Sequence, residues 1–448
     1  MNTPVYDFVK KYSESENIRL HMPGHKGKKG FIDESFDITE IDGADVLYHE
    51  TGILKISQQN ASEIFGTKKT LYSAEGSSLC IRAMLTLIKM QAEKNGKKTV
   101  ISAVRNAHKV FMTAAALLDI KVNWIYPENS KGLISAQISP EYLDAFLSEC
   151  EEKPAAIYVT SPDYLGYIAD IKGIAEVCKK YGVLLAVDNA HGAYLRFLPE
   201  NRHPIFLGAD ICCDSAHKTL PVLTGGAYLH ISENAPAEFT HNSEKVMSLF
   251  SSTSPSYLIL SSLDKANEYL SGDYKKELSV LVEKLNALKE KLKEGGFVLL
   301  GDEPLKLTID TKTLGYKGYE FSDILSENGI VCEFSDPDFI VMMFTPDIKD
   351  EELKRIEDVL STIKKKNPVV SPIPSIPRLI KRITEKEALF SPSEEISANE
   401  AVGRILASPS VLCPPAIPIA ICGEELSLEA VECFKYYSIE KINVVKEV

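Results

Sequence analysis

The chain contains no C-x-x-C pair, although it has nine cysteines. They are scattered, with Cys212-Cys213 the one adjacent pair. An odd, dispersed set in a chain of 448 residues argues for reduced thiols in a cytosol, not a disulfide framework or a zinc site. No apolar stretch is long enough to cross a bilayer. Met1 to Arg19 mixes charged with apolar residues and lacks the apolar run of a signal peptide. Positive charge is in deficit: 50 Lys and Arg against 63 Asp and Glu leave a formal charge of -13. Bulk electrostatics therefore gives the chain no grip on nucleic acid or anionic lipid. No internal repeat stands out. His21, His25, His49, His203, His230 and His241 show no metal-ligand spacing with a convincing partner, so no metal is expected. These absences predict a soluble cytoplasmic protein.

What is present is ordinary globular composition, 44% hydrophobic and 25% charged, in a chain long enough for two or three domains. Thr99 to Val104, Ala155 to Val159 and Val183 to Val187 read as strands, and Ala209 to Cys213 as a weaker one interrupted by Asp210. Their apolar runs do not alternate, which predicts a mostly parallel sheet covered on both faces by helices. Gly76-Ser77-Ser78 opens a helix with apolar residues at Ile81, Met84, Leu85 and Ile88. Helical pattern dominates from Asp264 to Glu294. Strands are expected at Leu305 to Ile309, Ile330 to Phe334 and Phe339 to Phe344, then a charged helix from Asp350 to Lys366. Pro368, Pro372, Pro374 and Pro377 mark a joint. The expected organisation is an arm over 1–50, a large domain over 51–265, a small αβ domain over 266–367 and a C-terminal domain over 368–448.

The chemistry concentrates after two of those strands. Asp188-Asn189-Ala190-His191-Gly192 follows the first, and Ser215-Ala216-His217-Lys218-Thr219 the second, ahead of Gly225-Gly226. A lysine that forms a Schiff base and a carboxylate that keeps a pyridine nitrogen protonated are what pyridoxal phosphate needs. Lysine must also be desolvated or placed near a cation to become nucleophilic. Asp188 sits at the carboxyl end of its strand, where ligands bind in open α/β sheets. Taken singly, Lys218 also reads as a surface lysine and Asp188 as a helix cap. Gly76, Ser77 and Ser78 at a helix start offer free N–H groups and hydroxyls to a phosphate, although serine is also a plain N-cap. His108, after the Thr99 to Val104 strand, is placed to stack on a cofactor ring or is an ordinary loop histidine.

Several segments, in order, resemble the ornithine/lysine/arginine decarboxylase family of fold type I pyridoxal-phosphate enzymes, short bacterial type. They are HMPGHKG at His21 to Gly27, DITEIDGADVLY at Asp37 to Tyr48, Ala74 to Ser78, RNAHK at Arg105 to Lys109, VDNAHG at Val187 to Gly192, SAHKTLP at Ser215 to Pro221 and TSPSY at Thr253 to Tyr257. In the tail, Ala401 to Ile405, Pro414 to Pro418 and Gly423-Glu424 add to the likeness. Departures are Cys413 to Pro418 where the family often has Y-P-P-G-I-P, Gly76-Ser77-Ser78 for G-S-T, and no acidic residue around Gly66-Thr67-Lys68.

The resemblance implies a fold: α/β, with a transferase-like large domain on a mostly parallel sheet, a smaller αβ domain and a small C-terminal domain. It implies pyridoxal 5'-phosphate as cofactor and decarboxylation of arginine, lysine or ornithine to a polyamine-pathway amine. Lys218 would carry the Schiff base and Asp188 would pair with the ring nitrogen. Ala190 and His191 would line one side of the ring, and His108 would stack on the opposite face. Gly76, Ser77, Ser78, Ser215 and His217 would bind the phosphate or sit beside it. His217 or Lys218 would return a proton to the α-carbon. Ser254 lies in a segment that approaches the neighbouring subunit in the family, which implies a homodimer or higher homo-oligomer. Glu333 and Asp336 would either meet a cationic side chain or form a solvated strand end. The competing expectations are an aminotransferase or another pyridoxal-phosphate enzyme on the same fold, and an inactive regulatory relative.

Overall fold

The apolar run from Val183 becomes the strand Leu184–Asp188, buried from Leu185 onward. Its neighbours are built the same way: Ala156–Thr160, Ile211–Asp214 and Ala227–Ile231 are almost wholly buried. This computed structural model describes residues 1–14, 35–130, 134–409 and 418–446. They fall into two units, one of Met1–Thr99, Glu152–Val159 and Ile171–Glu277, the other of Val100–Glu151, Thr160–Asp170 and Leu278–Val448.

In the first unit the strands lie in the order Lys69–Ser73, Ala227–Ile231, Ile211–Asp214, Leu184–Asp188, Ala156–Thr160. Leu184–Asp188 and Ile211–Asp214 run parallel, with Asp188 opposite Cys213. The two strands on the other side pair antiparallel. Asp210, which breaks the apolar run, sits just before its strand and accepts the Leu185 amide at 2.8 Å. The helix Gly76–Lys94 buries Ile81, Met84, Leu85 and Ile88. It packs on the strand Ala227–Ile231 and the helix Ala237–Ser248. Helix Pro4–Ser13 packs on helix Tyr257–Ser271. Its start has no side-chain cap of its own. Instead Asp264 accepts the amides of Val5 and Tyr6, both at 2.9 Å, and so satisfies donors that a helix start leaves open. The expected helix from Asp264 to Glu294 is split, Tyr257–Ser271 then Tyr274–Glu294, where Gly272 adopts φ -106, ψ -113.

In the second unit Val100–Val104 and Lys121–Ile125 pair in parallel and are joined by the helix Lys109–Leu117. An antiparallel sheet follows, in the order Val298–Leu300, Lys306–Asp310, Phe339–Met343, Phe334–Ser335. The strand expected over Ile330 to Phe334 shrinks to Phe334–Ser335. Its first residues carry strand-forming side chains but no core to bury them, and Val331 is 86% exposed. The charged helix ends at Thr362, before the lysine run and Pro368. Beyond the proline-rich joint, Ser393–Ser397 pairs with Lys441–Val445. Leu406, Ile419, Leu426, Phe434 and Val444 form a small core there. Arg105, fully buried, is neutralised by Glu424 at 2.8 Å.

Candidate active site

Two parallel strands that end side by side deliver two loops to one place, and the carboxyl ends of such strands are where α/β sheets bind ligands. Asp188 closes the first strand and is 3% exposed. Its Oδ1 accepts the Ala190 amide and its Oδ2 accepts the Tyr158 hydroxyl, each at 3.2 Å. Burial, then the charge of Asp188, holds the Tyr158 phenol well above its ordinary value, so it stays a neutral donor. The carboxylate is thus aimed and partly satisfied from below.

Lys218 lies in the single helical turn Ala216–Thr219 just after the second strand. Its Nζ is 3.1 Å from Nε2 of His191, on the loop that begins with Asp188. His217 faces elsewhere: its amide and its Nδ1 both donate to the Gly226 carbonyl, at 3.2 and 3.0 Å. Gly225 has φ +101, and a Cβ there would stand 2.9 Å from the Ala74 carbonyl oxygen. That close approach is what the glycine permits, and it lets the Gly225 carbonyl accept the Gly76 amide at 2.7 Å.

Gly76 starts the long helix Gly76–Lys94, and no side chain caps it. Ser215 donates its hydroxyl to Ser77 at 2.7 Å, so the turn before Lys218 and this helix start are joined. First-turn amides beyond Gly76 at the positive end of a helix, with the Ser77, Ser78 and Ser215 hydroxyls around them, are a donor set for a doubly charged phosphate. An amine, a buried carboxylate and an anion cradle in one unit match the aldehyde, the ring nitrogen and the phosphate of pyridoxal phosphate.

Beneath the loops lies a cluster the sequence did not disclose. Asp214, fully buried, accepts Nε2 of His203 at 3.0 Å and of His230 at 3.2 Å on one oxygen, and Nδ2 of Asn189 at 2.7 Å on the other. Thr70 bonds the far nitrogen of His230 at 2.8 Å. Ligand atoms of His203, Asp214 and His230 lie within 4.8 Å of one another. The set forms a hydrogen-bonded network in which each imidazole gives its Nε2 proton to the carboxylate, while Nδ1 of His203 is buried without a hydrogen-bond partner. Burial works to raise Asp214, but His203 and His230 outweigh it and hold the carboxyl well below the usual range. Burial lowers His230 against the pull of Asp214. Only sheet register could have revealed the cluster, since it sets Cys212 opposite His230.

His108, half-buried in the second unit, caps the helix Lys109–Leu117 by accepting the Val110 amide on Nδ1 at 3.2 Å. The Ser254 amide donates to the Ser252 hydroxyl at 3.1 Å in an exposed loop. Glu333 is exposed and accepts the Tyr164 hydroxyl at 3.2 Å. Asp336 is buried, and its Oδ1 holds the amides of Asp338 and Phe339 at 2.7 Å. His21 to Gly27 and most of Cys413 to Pro418 lie outside the described residues.

The architecture is that of the fold type I pyridoxal-phosphate enzymes. The solved lysine decarboxylase LdcF of Francisella novicida superposes with a TM-score of 0.80 at 15% identity, over 99% of this chain and 81% of that one. The constitutive lysine decarboxylase of E. coli gives 0.78 at 16% identity, over 99% and 82%. A structure of SPT with PLP gives 0.55 at 14% identity, over 71% and 80%. The chain belongs to the Orn/Lys/Arg decarboxylase family, whose major domain matches residues 3–301. It is 31% identical over 460 aligned positions to the arginine decarboxylase of Bacillus subtilis, covering 95% of this chain and 92% of that protein. It is 29% identical to the arginine decarboxylase of Halalkalibacterium halodurans, covering 94% and 90%.

Proposed function

We propose that this chain is a pyridoxal 5'-phosphate-dependent decarboxylase of a basic L-amino acid, with arginine the first candidate. The observation that carries the reading is the placement of Lys218 and Asp188 after neighbouring parallel strands, with the uncapped helix start at Gly76 joined to the lysine turn. When bound, pyridoxal phosphate supplies a carbonyl that condenses with amines and a ring that takes up the electron pair left by departing carbon dioxide. Lys218 would hold it, Asp188 would neutralise the ring nitrogen, and Gly76, Ser77, Ser78, Ser215 and His217 would surround the phosphate. Ala190 and His191 would border the ring.

The work of the protein's own side chains is then orientation and fixed electrostatics. Asp188, locked by Tyr158 and its own loop, presents a negative charge that needs no reorganisation during the reaction. The Gly76 helix start fixes the anion, and with it the distance to Lys218. The substrate assignment rests on the named arginine decarboxylases that align with nearly the whole chain. A second copy of the chain is the expected partner, and the cytoplasm the expected compartment.

The test is a product assay of the purified protein with pyridoxal phosphate and, separately, L-arginine, L-lysine and L-ornithine. The reading expects carbon dioxide and the matching amine in equal amounts, with arginine fastest. A keto acid without carbon dioxide would convert the reading to an aminotransferase. No turnover of any of the three would refute it.

A further inference from the structure

We infer that His191 is the acid–base partner of Lys218, and that the pair shares one proton which moves between Nζ and Nε2. This deepens the proposed function and rests on the reading of Lys218 as the carbonyl-binding lysine. The geometry carries it. Nζ and Nε2 are 3.1 Å apart, a distance at which a proton passes directly. His191 is 6% exposed, so water does not readily take its place.

The imidazole is held there by a built turn. Asn189 is fixed to Asp214 at 2.7 Å, and the Gly192 amide closes on the Asn189 carbonyl at 2.8 Å. A Cβ on Gly192 would meet the Asn189 side chain at 2.0 Å, so the turn requires glycine at that point. The neighbouring histidine is committed otherwise, since His217 spends its Nδ1 proton on the Gly226 carbonyl.

The step balances simply. An N–H bond of the Lys218 ammonium breaks and an N–H bond forms at Nε2 of His191, which leaves on Nζ the lone pair that condensation with a carbonyl would require. The reverse transfer recharges the lysine when it is displaced. Two positive charges at this spacing in a mostly buried site repel strongly, so one shared proton is the favoured state. Among the described residues, the charged and titratable groups on the surrounding elements include Asp188, Asp214, His217, Tyr194, Arg196 and His230. Asp188 bonds Tyr158 and Ala190, and Asp214 bonds Asn189, His203 and His230. Arg196 donates Nε to the Ile64 carbonyl.

Two measurements test the pairing. In the cofactor-free protein, NMR titration of the His191 ring is compared between wild type and Lys218→Met. Loss of the neighbouring cation should raise the imidazole pKa by about one unit or more. In the cofactor-loaded protein, His191→Gln keeps a hydrogen-bonding side chain that cannot take up a proton. Its kcat should fall about a hundredfold or more, with KM changed by less than about threefold, and the limb of the pH profile owed to His191 should vanish. An unchanged imidazole titration in Lys218→Met, or wild-type kcat and pH profile in His191→Gln, overturns the inference. Borohydride reduction with pyridoxal phosphate separates the two levels. A wild-type protein with no label on Lys218 fails the lysine reading itself, whereas a labelled and fully active His191→Gln fails only the shared proton.

Discussion

The hydroxyl of Tyr158 donates to Oδ2 of Asp188 at 3.2 Å, inside a sheet that leaves neither side chain open to water. A neutral donor there fixes the orientation of the carboxylate. Asp188→Asn should therefore reduce kcat on the order of a hundredfold to a thousandfold, because an amide cannot hold a ring nitrogen protonated. Tyr158→Phe keeps the carboxylate and should reduce kcat by less than about tenfold, with a stability loss of about 1–2 kcal/mol. Steady-state kinetics and denaturant melts of both variants check the pair.

The cluster under the loops gives a second prediction. Asp214 is depressed in the folded state, so its stabilisation is complete above the ordinary carboxylate range and is lost as pH falls through the folded value. Asp214→Asn removes the charge that both histidines address and should cost about 2–4 kcal/mol at neutral pH. Chemical denaturation at pH 7 measures it. Because Asn189 also loses its partner, the cofactor should bind more weakly in this variant, as read by equilibrium dialysis.

Asp336 titrates with the opposite sign. Burial, followed by the neighbouring charge of Asp338, pushes its carboxyl up to about 7. A raised folded value means that the contribution is fully present below the unfolded carboxylate range and is lost as pH rises through about 7. Asp336→Asn keeps an oxygen for the Asp338 and Phe339 amides but cannot ionise. Relative to wild type it should gain on the order of 1–3 kcal/mol between pH 5 and pH 8. Thermal melts across that range, taken on both proteins, decide the matter.

Arg105 and Glu424 give a fourth. Both are buried, and the guanidinium also lies 5.2 Å from the Trp124 ring centroid. Removing one partner strands the other charge, so Arg105→Met should cost about 3–5 kcal/mol. The double variant Arg105→Met with Glu424→Gln should recover much of that loss. A double-mutant cycle by denaturant melts provides the check.

The sequence and the structure part company along physical lines. Asp188 ends a strand and Lys218 follows the next one because apolar runs and turn residues are local signals. The helix face at Ile81, Met84, Leu85 and Ile88 was legible for the same reason. In the sequence Asp210 reads as a break in its strand, yet it stands outside the strand and bonds a neighbour's backbone, a cross-strand relation that no local pattern encodes. The joining of His203, Asp214 and His230 depends on register between strands, as does the bond from Tyr158 to Asp188. The contact between His191 and Lys218 is set by two loops meeting, and a stretch of residues can name each loop without telling which atoms face each other. Ile330 to Phe334 has strand-forming residues, but most of the segment finds no strand partner.

The central claim is a covalent bond between Lys218 and the cofactor aldehyde. Reduction of the loaded protein with borohydride, followed by peptide mass mapping, tests it most directly. The account predicts one pyridoxyl phosphate group per chain, located on Lys218 and absent from Lys218→Ala. A label on another lysine, or an unlabelled Lys218 in a protein that still decarboxylates its substrate, would contradict it.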